Sequence, residues 1–104
     1  MNSIDEISEL VLKWGHDRGI IQNGSPQTQC LKLGSEYGEL CDNIAKKRYD
    51  RAMDDLGDML VVMFMIASQI DTTLGDCLRV AYDDIKDRKG FLNEQGVFVK
   101  ESDV

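Results

Sequence analysis

Residues 53–70 read MDDLGDMLVVMFMIASQI, and how that stretch is read decides the fold. Between positions 56 and 67 only Gly57 and Asp58 are not plainly apolar, yet the stretch opens with Asp54 and Asp55 and carries Asp58 inside it. An uncompensated carboxylate in a core costs several kcal/mol, roughly, unless something offsets it. The apolar run, 12 residues long, is too short to span a bilayer. Its first turns are amphipathic and its second half is apolar nearly all round, the pattern of a helix enclosed by others. A chain of 104 residues cannot easily surround one of its own helices, so the expectation is a homo-oligomer, a dimer or a tetramer.

Working outward, the chain reads as an all-α single domain over 1–104, with helices at 3–18, 26–48, 51–70 and 73–89 and an extended tail over 91–104. SIDE places Ser3 as N-cap with Glu6 three residues on, a capping box. Ile4, Ile7, Leu10, Val11 and Trp14 follow at helical spacing, and the helix is expected to end between Gly15 and Gly19. RGIIQNGSPQ reads as a loop, after which Ser25 and Pro26 suit an N-cap and first helical position. Leu33, Tyr37, Leu40 and Ile44 form the apolar stripe of the second helix, Asp50 is placed to cap the third, and Leu74, Cys77, Leu78, Ala81 and Ile85 line the fourth, which Gly90 is expected to end. NEQG before VFV predicts a turn and a short hairpin, or an arm on a neighbouring subunit.

An apolar fraction of 42% with one proline fits a folded helical globule. The net charge of −7 speaks against a nucleic-acid duplex or an anionic membrane as partner, since both favour excess Lys and Arg. MNSIDEISEL is acidic and amphipathic and predicts no signal peptide. Cys30, Cys41 and Cys77 are odd in number and lack a C-x-x-C pair, which predicts buried thiols in a reducing cytoplasm.

Two helices carry matched acidic motifs, EYGEL at 36–40 and DLGDM at 55–59. Each sets two carboxylates three residues apart on one helix face, with a glycine before the second. Acid pairs at this spacing ordinarily mark a solvated face. Mid-helix glycine, however, costs about 1 kcal/mol against alanine, so Gly38 and Gly57 predict a close approach of the two helices. With the arms to Asp50 unequal, the motifs meet only with a crossing angle or a turn earlier than Asp50. Four converging carboxylates, Glu36, Glu39, Asp55 and Asp58, would raise one another's pKa values. A hard divalent cation such as Mg²⁺ relieves that repulsion and shares its shell with phosphates. The motifs lack histidine and thiolate, which argues against zinc. Gln29, Lys32, Glu36, Glu39 and Asn43 form a polar stripe on the second helix. Lys32 suits an i, i+4 ion pair or a phosphate contact. Lys86 and Arg88 suit the dipole of a helix C-terminus or phosphate binding. Trp14, the one tryptophan, suits a core position or base stacking, and Asn43 is the other candidate for contacting a base.

SEYGE and DLGD, with W and RGI early, Q and KL before the first motif, and IKDRKG with GVFVKE at the end, resemble the small phage-type MazG-like nucleotide pyrophosphohydrolases of the all-α NTP pyrophosphatase superfamily. The resemblance covers most of the chain. Ser35 stands where the family usually has its first Glu, and Asp55 where it has Glu. The resemblance implies a MazG-like four-helix bundle completed by oligomerisation and Mg²⁺-dependent, or Mn²⁺-dependent, cleavage of a nucleoside triphosphate to the monophosphate and pyrophosphate. It implies Glu36, Glu39, Asp55 and Asp58 as metal ligands, Glu36, Glu39 and Lys32 in catalysis, and Lys32, Lys86 and Arg88 as phosphate contacts. Two other readings stand beside it: a metal-nucleotide binding module without turnover, and a plain helical interaction module with solvated acids. Within the hydrolase class, a phosphoribosyl-ATP type of substrate is the runner-up.

Overall fold

A computed structural model of the chain describes residues 3–103. The fold is all-α, with five helices and one two-stranded hairpin among the described residues. The backbone groups into two compact units, one ending at Leu74 and one beginning at Gly75.

The first unit begins with α1 (Ile4–Asp17). Ser3 caps it by accepting from the Glu6 backbone N–H at 3.2 Å, one half of the expected capping box, and its hydroxyl donates to the Glu6 carboxylate at 3.0 Å. Gly19 adopts a left-handed φ of 75°, which L side chains disfavour, and turns the chain into α2 (Ile20–Asn23). That short helix lies where the sequence reads as a loop. Its Ile21 supplies the reason, for the side chain is buried and folding the segment brings it into the core.

α3 (Pro26–Ala45) starts as expected, with the Ser25 hydroxyl accepting from the Thr28 N–H at 3.1 Å. It ends earlier than expected because Lys47 takes a left-handed φ of 56°. Lys46 N–H bonds back to Asp42 O, and Arg48 N–H to Asn43 O, satisfying the carbonyls of the last turn. α4 (Tyr49–Gln69) then begins two residues sooner than predicted. Asp50 therefore lies in its first turn rather than at the cap, where its charge still suits the positive end of the helix dipole. The three-residue turn folds α4 back along α3, and Glu39 and Asp55 each lie eight residues from Lys47. The earlier turn is what levels the two acidic motifs.

Ala52, Val62, Met65 and Ala67 of α4 form the core with Ile21. α1 meets α4 at the buried Gly15, where any side chain would collide with Met65. By contrast, Gly38 and Gly57 do not mark a close approach, since a Cβ on either meets nothing within 4 Å. Each glycine lies two residues, about 200° of helix rotation, from the first acid of its motif, so it faces away when that acid faces the partner helix.

The second unit contains α5 (Leu74–Ile85, joined to it from Gly75), β1 (Gly90–Leu92) and β2 (Phe98–Lys100). α5 stops before the expected 89, and Gly90 opens a strand rather than ending a helix. β1 and β2 pair antiparallel, Phe91 opposite Val99, and Asn93 closes the turn by accepting from the Gln95 and Val97 N–H groups. The hairpin reading of the tail therefore holds. The expected inner stripe of α5 is open at Leu78, 70% exposed, and at Ile85.

Two expectations of burial fail. All three cysteines are exposed and free, because Cys30 and Cys41 fall on the outer side of α3 and Cys77 on an exposed part of α5. Trp14 is not core filler, being 43% exposed with the Arg18 guanidinium 5.8 Å from its ring centre. Among the described residues no single helix is long and apolar enough to cross a membrane.

Candidate metal centre

The acids of the two motifs meet across the α3–α4 pair. Glu36, Glu39 and Asp55 each offer one oxygen, and these oxygens all lie within 4.8 Å of one another. Asp58 is not in this group of three. It stands half-buried beside it, close enough that the charges of Glu36 and Asp55 act on it. Of the aspartates that open the apolar run, the enclosed one is Asp55, with 5% exposure, rather than Asp58. Asp55 shares the buried face of α4 with Ala52, Val62 and Met65, and Asp58, one turn on, keeps a half-buried place beside it.

The group is short of counter-charge. Among the described residues, the one ion pair that reaches it joins Lys32 Nζ to Glu36 Oε1 at 3.4 Å, with the lysine side chain mostly in solvent. Glu36 Oε2 is buried and has no hydrogen-bond partner among the described residues. Repulsion follows. The Glu36 charge, then burial and the Asp55 charge, raise the Glu39 pKa above its ordinary value. Burial first, then the charges of Asp54, Glu36 and Asp55, raise that of Asp58, with Lys32 opposing.

Asn43 lies one turn beyond Glu39 on α3 and donates its amide Nδ2–H to Asp55 Oδ2 at 2.6 Å. The amide expected to be available to a base is thus engaged with the acidic group. Lys86 and Arg88 belong to the second unit and are paired there, Lys86 with Asp83 at 3.5 Å and Arg88 with Asp84 at 2.6 Å. Trp14 lies on α1, its ring face occupied by Arg18.

The donor set fits a hard divalent cation. Three carboxylates supply only oxygen, the preference of Mg²⁺ and Mn²⁺, and the orphaned Glu36 Oε2 is a buried acceptor lacking a positive partner.

The chain has a relative. It is 37% identical over 76 residues to an uncharacterized 18.2 kDa protein in the rep-hol intergenic region of Haemophilus phage HP1. The match takes in 71% of this chain and 47% of that protein, so the chain spans about half the length of the curated relative it matches. No family model matches the chain, and no solved structure matches it.

The tie between Asn43 and Asp55 is the part of the site that residue-type reading missed. A signal was present. Asn43 closes the polar stripe Gln29, Lys32, Glu36, Glu39 and Asn43, which puts it on the face of α3 that carries the acids.

Proposed function

We propose that the chain is a divalent-metal-dependent nucleotide pyrophosphohydrolase of MazG-like type, converting a nucleoside triphosphate to the monophosphate and pyrophosphate. The observation that carries this reading is the group Glu36, Glu39 and Asp55, short of counter-charge, with a buried Glu36 oxygen that has no hydrogen-bond partner among the described residues. A solvated acidic face has no reason to enclose Asp55 to 5% exposure. A bound Mg²⁺ supplies neutralisation of phosphate charge and acidification of water.

The residues divide by exposure. Asp55 and Glu36, on the enclosed side, hold the cation, and Asp58 on the flank adds charge beside it. Glu39 is exposed and reaches solvent, which suits a role toward the attacking water. Lys32, exposed and one turn before Glu36, can leave its loose ion pair for a phosphate oxygen. The exposed Leu31, Tyr37, Met53 and Leu56 of α3 and α4 support self-association, as a dimer or tetramer that covers them. Its working place in this reading is the cytoplasm.

The test is incubation of the purified chain with a panel of ribo- and deoxyribonucleoside triphosphates, with Mg²⁺ or with EDTA, and resolution of the products. Metal-dependent monophosphate plus pyrophosphate is expected. Diphosphate plus phosphate would refute the bond assignment. Nucleotide binding without turnover would replace the enzyme by a binding module.

A further inference from the structure

Asn43 raises a question that the metal reading leaves open: why does a neutral amide hold the most enclosed acid of the site? Its Nδ2 lies 2.6 Å from Asp55 Oδ2 in a partly buried contact. Against a carboxylate only the amide nitrogen can donate, so chemistry settles the orientation of the amide. Lysine or arginine at this position would cancel the Asp55 charge and compete with a cation. An apolar side chain would leave the carboxylate free to turn. An amide does neither. It fixes the plane of the carboxylate, leaves its charge intact, and occupies one of its two oxygens.

That occupied oxygen bears on which ion the group prefers. Ca²⁺ takes six to eight oxygens in a flexible shell and often uses carboxylates through both oxygens, whereas Mg²⁺ requires near-ideal octahedral geometry with shorter bonds. A carboxylate tied at one oxygen and fixed in direction favours the second pattern. We propose that Asn43 is a positioning residue: by holding Asp55 through one oxygen it makes the carboxylate a one-oxygen ligand of fixed direction, and so tunes the site toward small octahedral cations over Ca²⁺. The inference rests on the metal reading above and goes beyond it by assigning the ion preference to a residue that does not itself touch the ion.

The test is titration of Mn²⁺ alone and Ca²⁺ alone into the metal-free full chain by calorimetry, for wild type, Asn43→Ala and Asn43→Ser. Melting of each in EDTA reads any structural part. Both variants should melt cooperatively in EDTA. Their Kd for Mn²⁺ should rise about tenfold or more, the usual range for loss of a group that orients a ligand. Their Kd for Ca²⁺ should rise less, so that the preference for Mn²⁺ narrows. An unchanged Mn²⁺ Kd would overturn the role, and so would an equal weakening of both ions, which marks a general tether between α3 and α4. Loss of cooperative melting in both variants would make the hydrogen bond a strut of the fold and overturn it too. Failure of wild type to bind either ion would remove the metal centre itself, an outcome separate from the others, and the inference with it.

Discussion

α5 and the α3–α4 pair both carry clustered acids, and they surround them differently. On α5 and just beyond it, Asp83 faces Arg79 at 3.9 Å and Lys86 at 3.5 Å, and Asp84 faces Arg88 at 2.6 Å. Each acid has a cation one turn away on its own stretch of chain. On α3 and α4, among the described residues, the group Glu36, Glu39 and Asp55 has one loose ion pair, from Lys32 to Glu36, and the buried Glu36 Oε2 has no hydrogen-bond partner. Both places crowd carboxylates, Asp83 beside Asp84 and Glu36 one turn from Glu39. What separates the two places is a second helix that brings Asp55 against Glu36 and Glu39 where a base would have balanced them.

The sharpest way to break this contrast is to remove one acid from each region. Asp55→Asn should lower metal-dependent pyrophosphate release by about 100-fold or more, since even groups that only orient a ligand cost 10–100-fold. Asp84→Asn should leave release within about twofold, because Asp84 is an exposed partner in a surface pair. Equal losses in the two variants would erase the distinction. Next in size is the effect of metal on melting. At about a hundredfold excess over Kd, Mg²⁺ should stabilise the chain by about 2.7 kcal/mol, a rise in Tm on the order of 10 °C. Glu36→Gln should abolish that rise, and sodium chloride at matched ionic strength should not reproduce it.

A smaller effect concerns pH in the absence of metal. Glu39 and Asp58 have raised pKa values in the fold. Such carboxyls bind protons more tightly when folded, so the stability they contribute is full below their unfolded values, about 4, and is lost as pH rises through the folded ones. In EDTA, Tm should therefore climb as pH falls from 7.5 toward 5, and Asp58→Asn should flatten the climb. Asp17 and Asp42 act oppositely. Hydrogen bonds from Lys13 and Lys46 lower their pKa values, so their stability is present above the unfolded value and is lost only in stronger acid. A Tm that fell between pH 7.5 and 5 would mean the acids of the α3–α4 group do not repel. The smallest effect is expected at the paired surface. Lys13→Ala, which breaks an exposed 2.6 Å pair, should change stability by about 0.5 kcal/mol or less in denaturant titration.

The helices were legible because their signals are local. Ser3 and Ser25 cap as the sequence implies, and alternation around NEQG foretells the hairpin. What could not be read depended on distant atoms. α2 forms because Ile21 has a core to enter, and the end of α3 depends on Lys47 accepting a left-handed φ that no residue preference announces. For the site, the acidic motifs were visible, and three of the four acids meet. Asp58 lies inside the apolar run and Asp55 just before it, yet Asp55 is the enclosed one, since nearness to the apolar run along the chain is not nearness to the core in space. The matched glycines misled for a similar reason, as each faces away from the helix it was expected to touch.

Those glycines carry a practical consequence. Gly34, Gly38 and Gly57 are helical, and a methyl group on any of them meets empty space within the chain. Each alanine there should contribute about 1 kcal/mol by removing unfolded-chain freedom and improving helix propensity. The helices that hold the acidic group therefore keep a reserve of thermal resistance, open to substitution at positions that touch none of Glu36, Glu39 or Asp55. A triple alanine chain would be the natural starting material for growing crystals, soaking them in manganese, and handling the acid substitutions that would otherwise be tested near their melting points.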